Sequence, residues 1–142
     1  MADSTASVTW SGSLMEGGGT IERVGSGVFG GLPITWAARA GEETGKTTPE
    51  ELIAAAHASC YSMALSHGLA QGGNPPDSLE TSATVSFVPG TGITKIALTV
   101  TGSVPGIDAE TFATAAQEAV ENCPVSKALA AVPEITLDVR LT

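Results

Sequence analysis

Residues 52 to 76 carry no aspartate, glutamate, lysine or arginine. A helix-length stretch without charge either crosses a membrane or lies in a protein interior. "LIAAAHASCYSMALSHGLA" contains two histidines and three serines among its alanines. That is too polar for the run of about 20 predominantly apolar residues that a membrane helix needs. The stretch therefore reads as a central helix buried on most sides. Its start is well marked: Thr48 is an N-cap, Pro49 takes the first helical position, and Glu51 follows three residues after the cap. Acidic residues there also suit the helix dipole. The helix should run to about Ala70, where "QGGNPPD" stops it. Leu52, Ala56, Cys60, Met63 and His67 share one stripe along it.

The segments around this helix are of two kinds. Before it, "SVTWSGSL", "GTIERVGSGVF" and "LPITWAARA" mix β-branched and aromatic residues with turn formers, predicting three short strands; "GEETGKTT" is a loop. After it, "TSATVSFVP" and "ITKIALTVTG" alternate with period two across a glycine turn, as a hairpin does. "DAETFATAAQEAVEN" is a second helix with Asp108 as N-cap. Cys123-Pro124 interrupts it, a short helix through "VSKALAA" follows, and "EITLDVRL" closes as a strand. This order predicts an α+β fold in a single domain, 1–142, and not a doubly wound sheet.

A chain of 142 residues buries about 70% of its unfolded surface. Hydrophobic residues make up 42% but aromatics only 4%, and much of the apolar content is alanine. Each alanine buries little area, and stabilisation follows area at roughly 25 cal/mol per Å². Such a chain is expected to complete its core against a second copy. The net charge is −9, with only six lysines and arginines. Nucleic acid and anionic membrane surfaces are poor partners for that balance. "MADSTASVTW" lacks the charged-then-apolar layout of a signal peptide, which points to the cytoplasm.

The chemistry-bearing candidates are the two cysteines and two histidines. Free cysteine is usually an inert buried residue. Cys60 lies three turns into its helix, beyond the reach of the helix dipole, so a reactive Cys60 needs a cation from elsewhere. Cys123 directly precedes a helix-starting proline, where backbone N–H groups favour thiolate. On local physics Cys123 is the more acidic, although it also reads simply as a cap. A Cys60–Cys123 staple would stabilise by roughly 4 kcal/mol, but permanent disulfides are rare in the cytosol. Two cysteines there favour redox chemistry, if they meet. His57, three residues before Cys60, could share its helix face, which is the pattern of a base–thiol hydrolase. A metal site would use His57, Cys60, Cys123 and His67, without any recognised ligand spacing. Arg39 closes the third predicted strand, Arg23 and Arg140 lie in others, and Glu50 and Glu51 read locally as ordinary first-turn acids. The glycines of "MEGGGT" and "SGVFGG" match no phosphate-binding fingerprint.

Taken in order, "TPEELIAAAHASCYSMALS", "ITKIALTVTGSVPGID" and "ENCPVSKAL" closely resemble the OsmC branch of the OsmC/Ohr thiol peroxidases, essentially over the whole chain. The resemblance implies an intertwined α+β homodimer, with antiparallel β-sheets wrapped around two central helices. It implies a cysteine-based peroxidase of the oxidative and osmotic stress response that reduces organic hydroperoxides, and hydrogen peroxide less well. On this mapping Cys60 is peroxidatic and Cys123 resolving. Arg39 activates the thiol and Glu50, with Glu51 as the fallback, orients Arg39. No cofactor or metal is implied; an external dithiol or a lipoylated protein supplies electrons. The family's "NPEEL" is "TPEEL" here, which keeps an N-capping side chain. The other readings are a stress-associated dimer that binds small molecules without turnover, and the Cys60–His57 hydrolase. Whether Arg39 and Glu50 serve their own chain or the partner is open at this level.

Overall fold

The computed structural model describes every residue from Met1 to Thr142. The chain divides into two compact units, Met1–Leu52 and Ile53–Thr142.

The first unit is a three-stranded antiparallel sheet followed by a short helix. Strands β1 (Ala6–Ser11), β2 (Gly18–Val24) and β3 (Gly30–Ile34) pair in chain order. Ile21 at the centre of β2 is buried, whereas Val8, Trp10, Val28 and Phe29 are exposed. The third predicted strand is cut short, because residues 36–39 form helix α1 (Trp36–Arg39) and Arg39 ends a helix instead of a strand. Thr35 makes the switch: its backbone stays extended while its hydroxyl accepts the Ala38 N–H at 3.1 Å, as an N-cap does. Gly41 then turns the chain at φ +84, a value that glycine adopts without strain.

Helix α2 (Pro49–Gln71) begins as predicted, with the Thr48 hydroxyl accepting the Glu51 N–H at 3.1 Å. It ends one residue beyond the expected Ala70. The second unit continues from Ile53. Strands β4 (Ser78–Val88) and β5 (Gly92–Ser103) form the predicted hairpin; α3 (Ala109–Asn122), α4 (Pro124–Ala128) and β6 (Glu134–Leu141) follow. Asp108 caps α3 by accepting the Thr111 N–H at 2.7 Å. The sheet runs β4-β5-β6, and here one expectation fails. β6 pairs with β5 in parallel, Ile96 opposite Ile135 and Leu98 opposite Leu137. The path from β5 to β6 is a helical crossover, which returns the chain in the same direction, whereas a hairpin reverses it.

The core of this unit takes one face from each element. β5 contributes Ile96, Leu98 and Val100 at period two, and α3 contributes Phe112, Ala116 and Ala119. α2 contributes Tyr61, Leu65 and Leu69, a stripe at spacing four that begins with the buried His57. Within the single chain α2 is covered along this stripe, while Ala55, Ala56, Ser59, Met63, His67 and Ala70 are exposed. The buried line is one position over from the stripe running through Cys60.

Gly102 of β5 faces Phe112, so closely that a Cβ there would lie 2.4 Å from the ring's Cζ. Phe112 is fully buried, so its ring can move aside only by disturbing the core around it. Gly102→Ala should therefore destabilise by about 1–3 kcal/mol, the ordinary cost of overpacking. Urea unfolding would measure it, and an unchanged midpoint would mean that the ring repacks freely.

Candidate active site

The two cysteines meet inside the second unit, at the junction of α2, α3 and α4. Cys60 precedes Tyr61 of the buried α2 stripe. Cys123 continues the buried stripe of α3, four residues after Ala119, and its N–H still bonds to the Ala119 carbonyl at 2.9 Å. Pro124 ends that helix, since the residue before proline is driven out of the helical region. Cys123 accordingly has φ −66 and ψ 118, closing α3 and opening α4. Both thiols are free; Cys123 is fully buried and Cys60 half-buried. They are close enough for each thiol to shift the other's titration.

Their environments separate them electrostatically. Burial pushes the Cys60 thiol up; the Val125 N–H works against this, and the neighbouring Cys123 adds to the rise. Burial acts on Cys123 in the same sense. There, however, the Ser126 N–H, the Cys60 thiol, the Ser126 hydroxyl and the Val125 N–H together outweigh it and hold Cys123 below the ordinary thiol range. The sulfur closes no capping hydrogen bond of full geometry on α4, so the donors act as a group. The order argued from the sequence, Cys123 more acidic than Cys60, is the order found. Tyr61, whose hydroxyl donates to the Ala116 carbonyl at 2.9 Å, is pushed well above the usual phenol range by burial and by Cys123.

His57 does not do what its spacing suggested. Its Nε2 lies 2.7 Å from the Ser126 hydroxyl on α4, and its Nδ1 is buried without a partner. Neither nitrogen bonds to Cys60, so the base–thiol couple of a hydrolase is not formed. Burial lowers the His57 pKa, which favours the neutral ring. His67 is exposed. It lines a cavity of about 430 Å³ beside Cys60, together with Met63, Ala64, Gly68, Asn122 and Pro124. No three histidine, cysteine or acidic side chains converge as metal ligands.

The other candidates pair within the first unit. Arg39, at the end of α1, donates from Nη2 to Glu50 Oε1 at 2.8 Å and from Nε to both carboxylate oxygens at 3.0 and 3.3 Å. Glu50 is only 5% exposed, so this pairing satisfies a buried carboxylate. Glu51 is exposed, which settles which of the two acids pairs with Arg39. Ser126 is the residue that the sequence reading passed over. Its only signal is its place three residues after Cys123, where a helix-opening turn brings it back toward that side chain.

The family model for "OsmC-like protein" matches residues 41–138, a span that holds Glu50, Cys60 and Cys123 and begins just after Arg39. Peroxiredoxin OsmC of Escherichia coli is 48% identical over 135 residues, covering 93% of this chain and 92% of that one. Among solved structures, the organic hydroperoxide resistance protein OhrB of Bacillus subtilis is 27% identical, with 97% and 98% coverage and a TM-score of 0.63. An organic hydroperoxide resistance protein OsmC of Legionella pneumophila superposes with a TM-score of 0.69 at 22% identity, covering 96% of each chain; at that identity it speaks for the fold alone.

The neutral, buried His57 carries a pH signature. An unfolded histidine titrates near 6.5, whereas the folded ring titrates lower. As pH falls below about 6.5 the unfolded chain takes up this proton first, so stability is lost until the folded pKa is passed. The slope is at most about 1.4 kcal/mol per pH unit for one group. Urea midpoints at pH 7.5 and 5.5 should therefore fall further in the wild type than in His57→Gln. Equal falls would show that His57 charges freely in the folded state.

Proposed function

This chain belongs to the OsmC-like protein family and is a peroxiredoxin-type peroxidase. On that premise we propose that it reduces organic hydroperoxides to alcohols through a two-cysteine cycle, as a cytoplasmic homodimer of one OsmC-like domain per chain, in defence against peroxide stress. The supporting observation is the meeting of two free thiols, remote in sequence, beside an apolar cavity.

In the proposed cycle the Cys60 thiolate attacks the terminal oxygen of the hydroperoxide. The O–O bond breaks, an S–O bond forms, and the alkoxide takes a proton to leave as alcohol. The Cys123 thiolate then attacks the Cys60 sulfenic acid; a disulfide forms and hydroxide leaves, to be protonated to water. An external dithiol or lipoylated protein restores both thiols by exchange, giving up two electrons and two protons. Arg39 supplies the positive charge that favours the Cys60 thiolate and the departing alkoxide, in cis or across the dimer. Glu50 holds the guanidinium by the Nε–Nη2 edge. Met63, Ala64, Gly68 and Pro124 offer apolar surface to an alkyl group. Burying that group favours organic peroxides, an advantage that hydrogen peroxide lacks.

The test is one equivalent of cumene hydroperoxide added to the fully reduced protein without air, followed by thiol counting. Both thiols should be lost, with a Cys60–Cys123 peptide found on mapping, and hydrogen peroxide should react more slowly. Cys60→Ser should abolish oxidation, Cys123→Ser should leave a sulfenic acid that dimedone traps, and Arg39→Ala should slow the reaction at pH 7 by about tenfold or more, the equivalent of one unit of thiol pKa. Survival of both wild-type thiols would end the peroxidase reading and favour the ligand-binding dimer.

A further inference from the structure

The short helix that carries Arg39 cannot stand on its own. α1 has four residues, far below the length of about 12–15 at which an isolated helix becomes even marginal in water. Its ends have to be held from outside. At the C-terminal end, the Gly41 N–H bonds to the Ala38 carbonyl at 3.2 Å and the Glu42 N–H to the Ala37 carbonyl at 2.8 Å. With Gly41 at φ +84 that pair is a Schellman motif, which satisfies carbonyls of the helix and reverses the chain. The reversal brings Glu43 back to the other end of α1. There the Thr35 hydroxyl accepts the Ala38 N–H at 3.1 Å and donates its one proton to Glu43 Oε2 at 2.8 Å. The second carboxylate oxygen, Oε1, takes the Lys46 ammonium. Lys46 and Thr35 hold the Glu43 carboxyl below the ordinary range, so the acceptor is charged near neutral pH.

We propose that Glu43 is a positioning residue for Arg39. By fixing the direction of the Thr35 hydroxyl it locks the cap of α1, and α1 in turn presents the guanidinium to Glu50. The inference rests on the two-cysteine reading for the use made of Arg39, but not for the geometry. Arg39 is held from two sides. Glu50 fixes one edge of its guanidinium, at 2.8 Å from Nη2 and at 3.0 and 3.3 Å from Nε. The helix fixes where the side chain starts, and the Arg39 N–H bonds to the Thr35 carbonyl at 3.2 Å, so a shift at Thr35 reaches Arg39 directly. Catalytic groups must be held to within about 0.5 Å of their working geometry. A small loosening at Thr35 therefore costs rate. Of the two contacts that Glu43 makes, the one to Thr35 carries the effect. The Lys46 pair is partly exposed, and such surface pairs contribute little.

The test begins with the second-order rate of Cys60 oxidation by cumene hydroperoxide at pH 7 in the full-length protein. Glu43→Ala should lower it about fivefold, as expected for one lost hydrogen bond to a charged acceptor outside the core. Thr35→Val should lower it further, because the cap is lost as well. Glu43→Gln keeps an amide oxygen for Thr35 and Thr35→Ser keeps the hydroxyl, so each should return the rate to within about twofold. In the Arg39→Ala background, Glu43→Ala should have no further effect, because the residue it positions is gone. A general loss of structure would slow both backgrounds alike. The second readout needs no peroxide. Solvent exchange of the Arg39 Nε proton, followed by nitrogen NMR, should quicken in Glu43→Ala and keep its wild-type rate in Glu43→Gln. Equal slowing by Glu43→Ala with and without Arg39 would overturn the proposal. So would unaltered Nε exchange in Glu43→Ala, or Glu43→Gln behaving like Glu43→Ala. If the wild-type thiols survive peroxide, the peroxidase reading falls, and the Nε exchange still decides whether Glu43 holds Arg39.

Discussion

Everything at the candidate site follows from two helices placing apolar stripes against one sheet. α2 turns Tyr61, Leu65 and Leu69 inward, and α3 does the same with Phe112, Ala116 and Ala119. Cys60 sits next to the first stripe and Cys123 extends the second. The thiols meet because their neighbours are core, with no need for attraction between them. The same burial acts on their chemistry: it raises the cost of a thiolate on either sulfur, and only at Cys123 do the surrounding donors outweigh it. Hydrophobic packing thus fixes where the sulfurs are, and local N–H and O–H groups lower the Cys123 thiol against its burial.

Helix starts were the most legible part of the fold. Thr48 and Asp108 cap as their side chains require, because an N-cap is a local bargain between one side chain and one or two N–H groups. The strand reading of "LPITWAARA" failed at Thr35 for a related reason. Thr35 and Trp36 favour strands, but the same threonine hydroxyl can cap, and "WAAR" follows with helix-forming residues. The parallel pairing of β6 was not legible, since alternation along a strand gives its faces and says nothing of its direction. The lack of charge on α2 did not say which of its faces its own chain covers: alanine and serine tolerate both water and core.

The site divides along the same line. Cys60 and Cys123 were visible as the only thiols, and the family resemblance, not spacing, ordered their roles. Arg39 and Glu50 were paired on resemblance too, and eleven residues separate two side chains that the loop between α1 and α2 brings together. His57 offered an alternative base–thiol pairing because three residues on a helix place it near Cys60. Its own position, however, starts the buried stripe that continues at Tyr61, and that turns its ring toward α4. The contact with Ser126 spans 69 residues of chain, and no local periodicity encodes it.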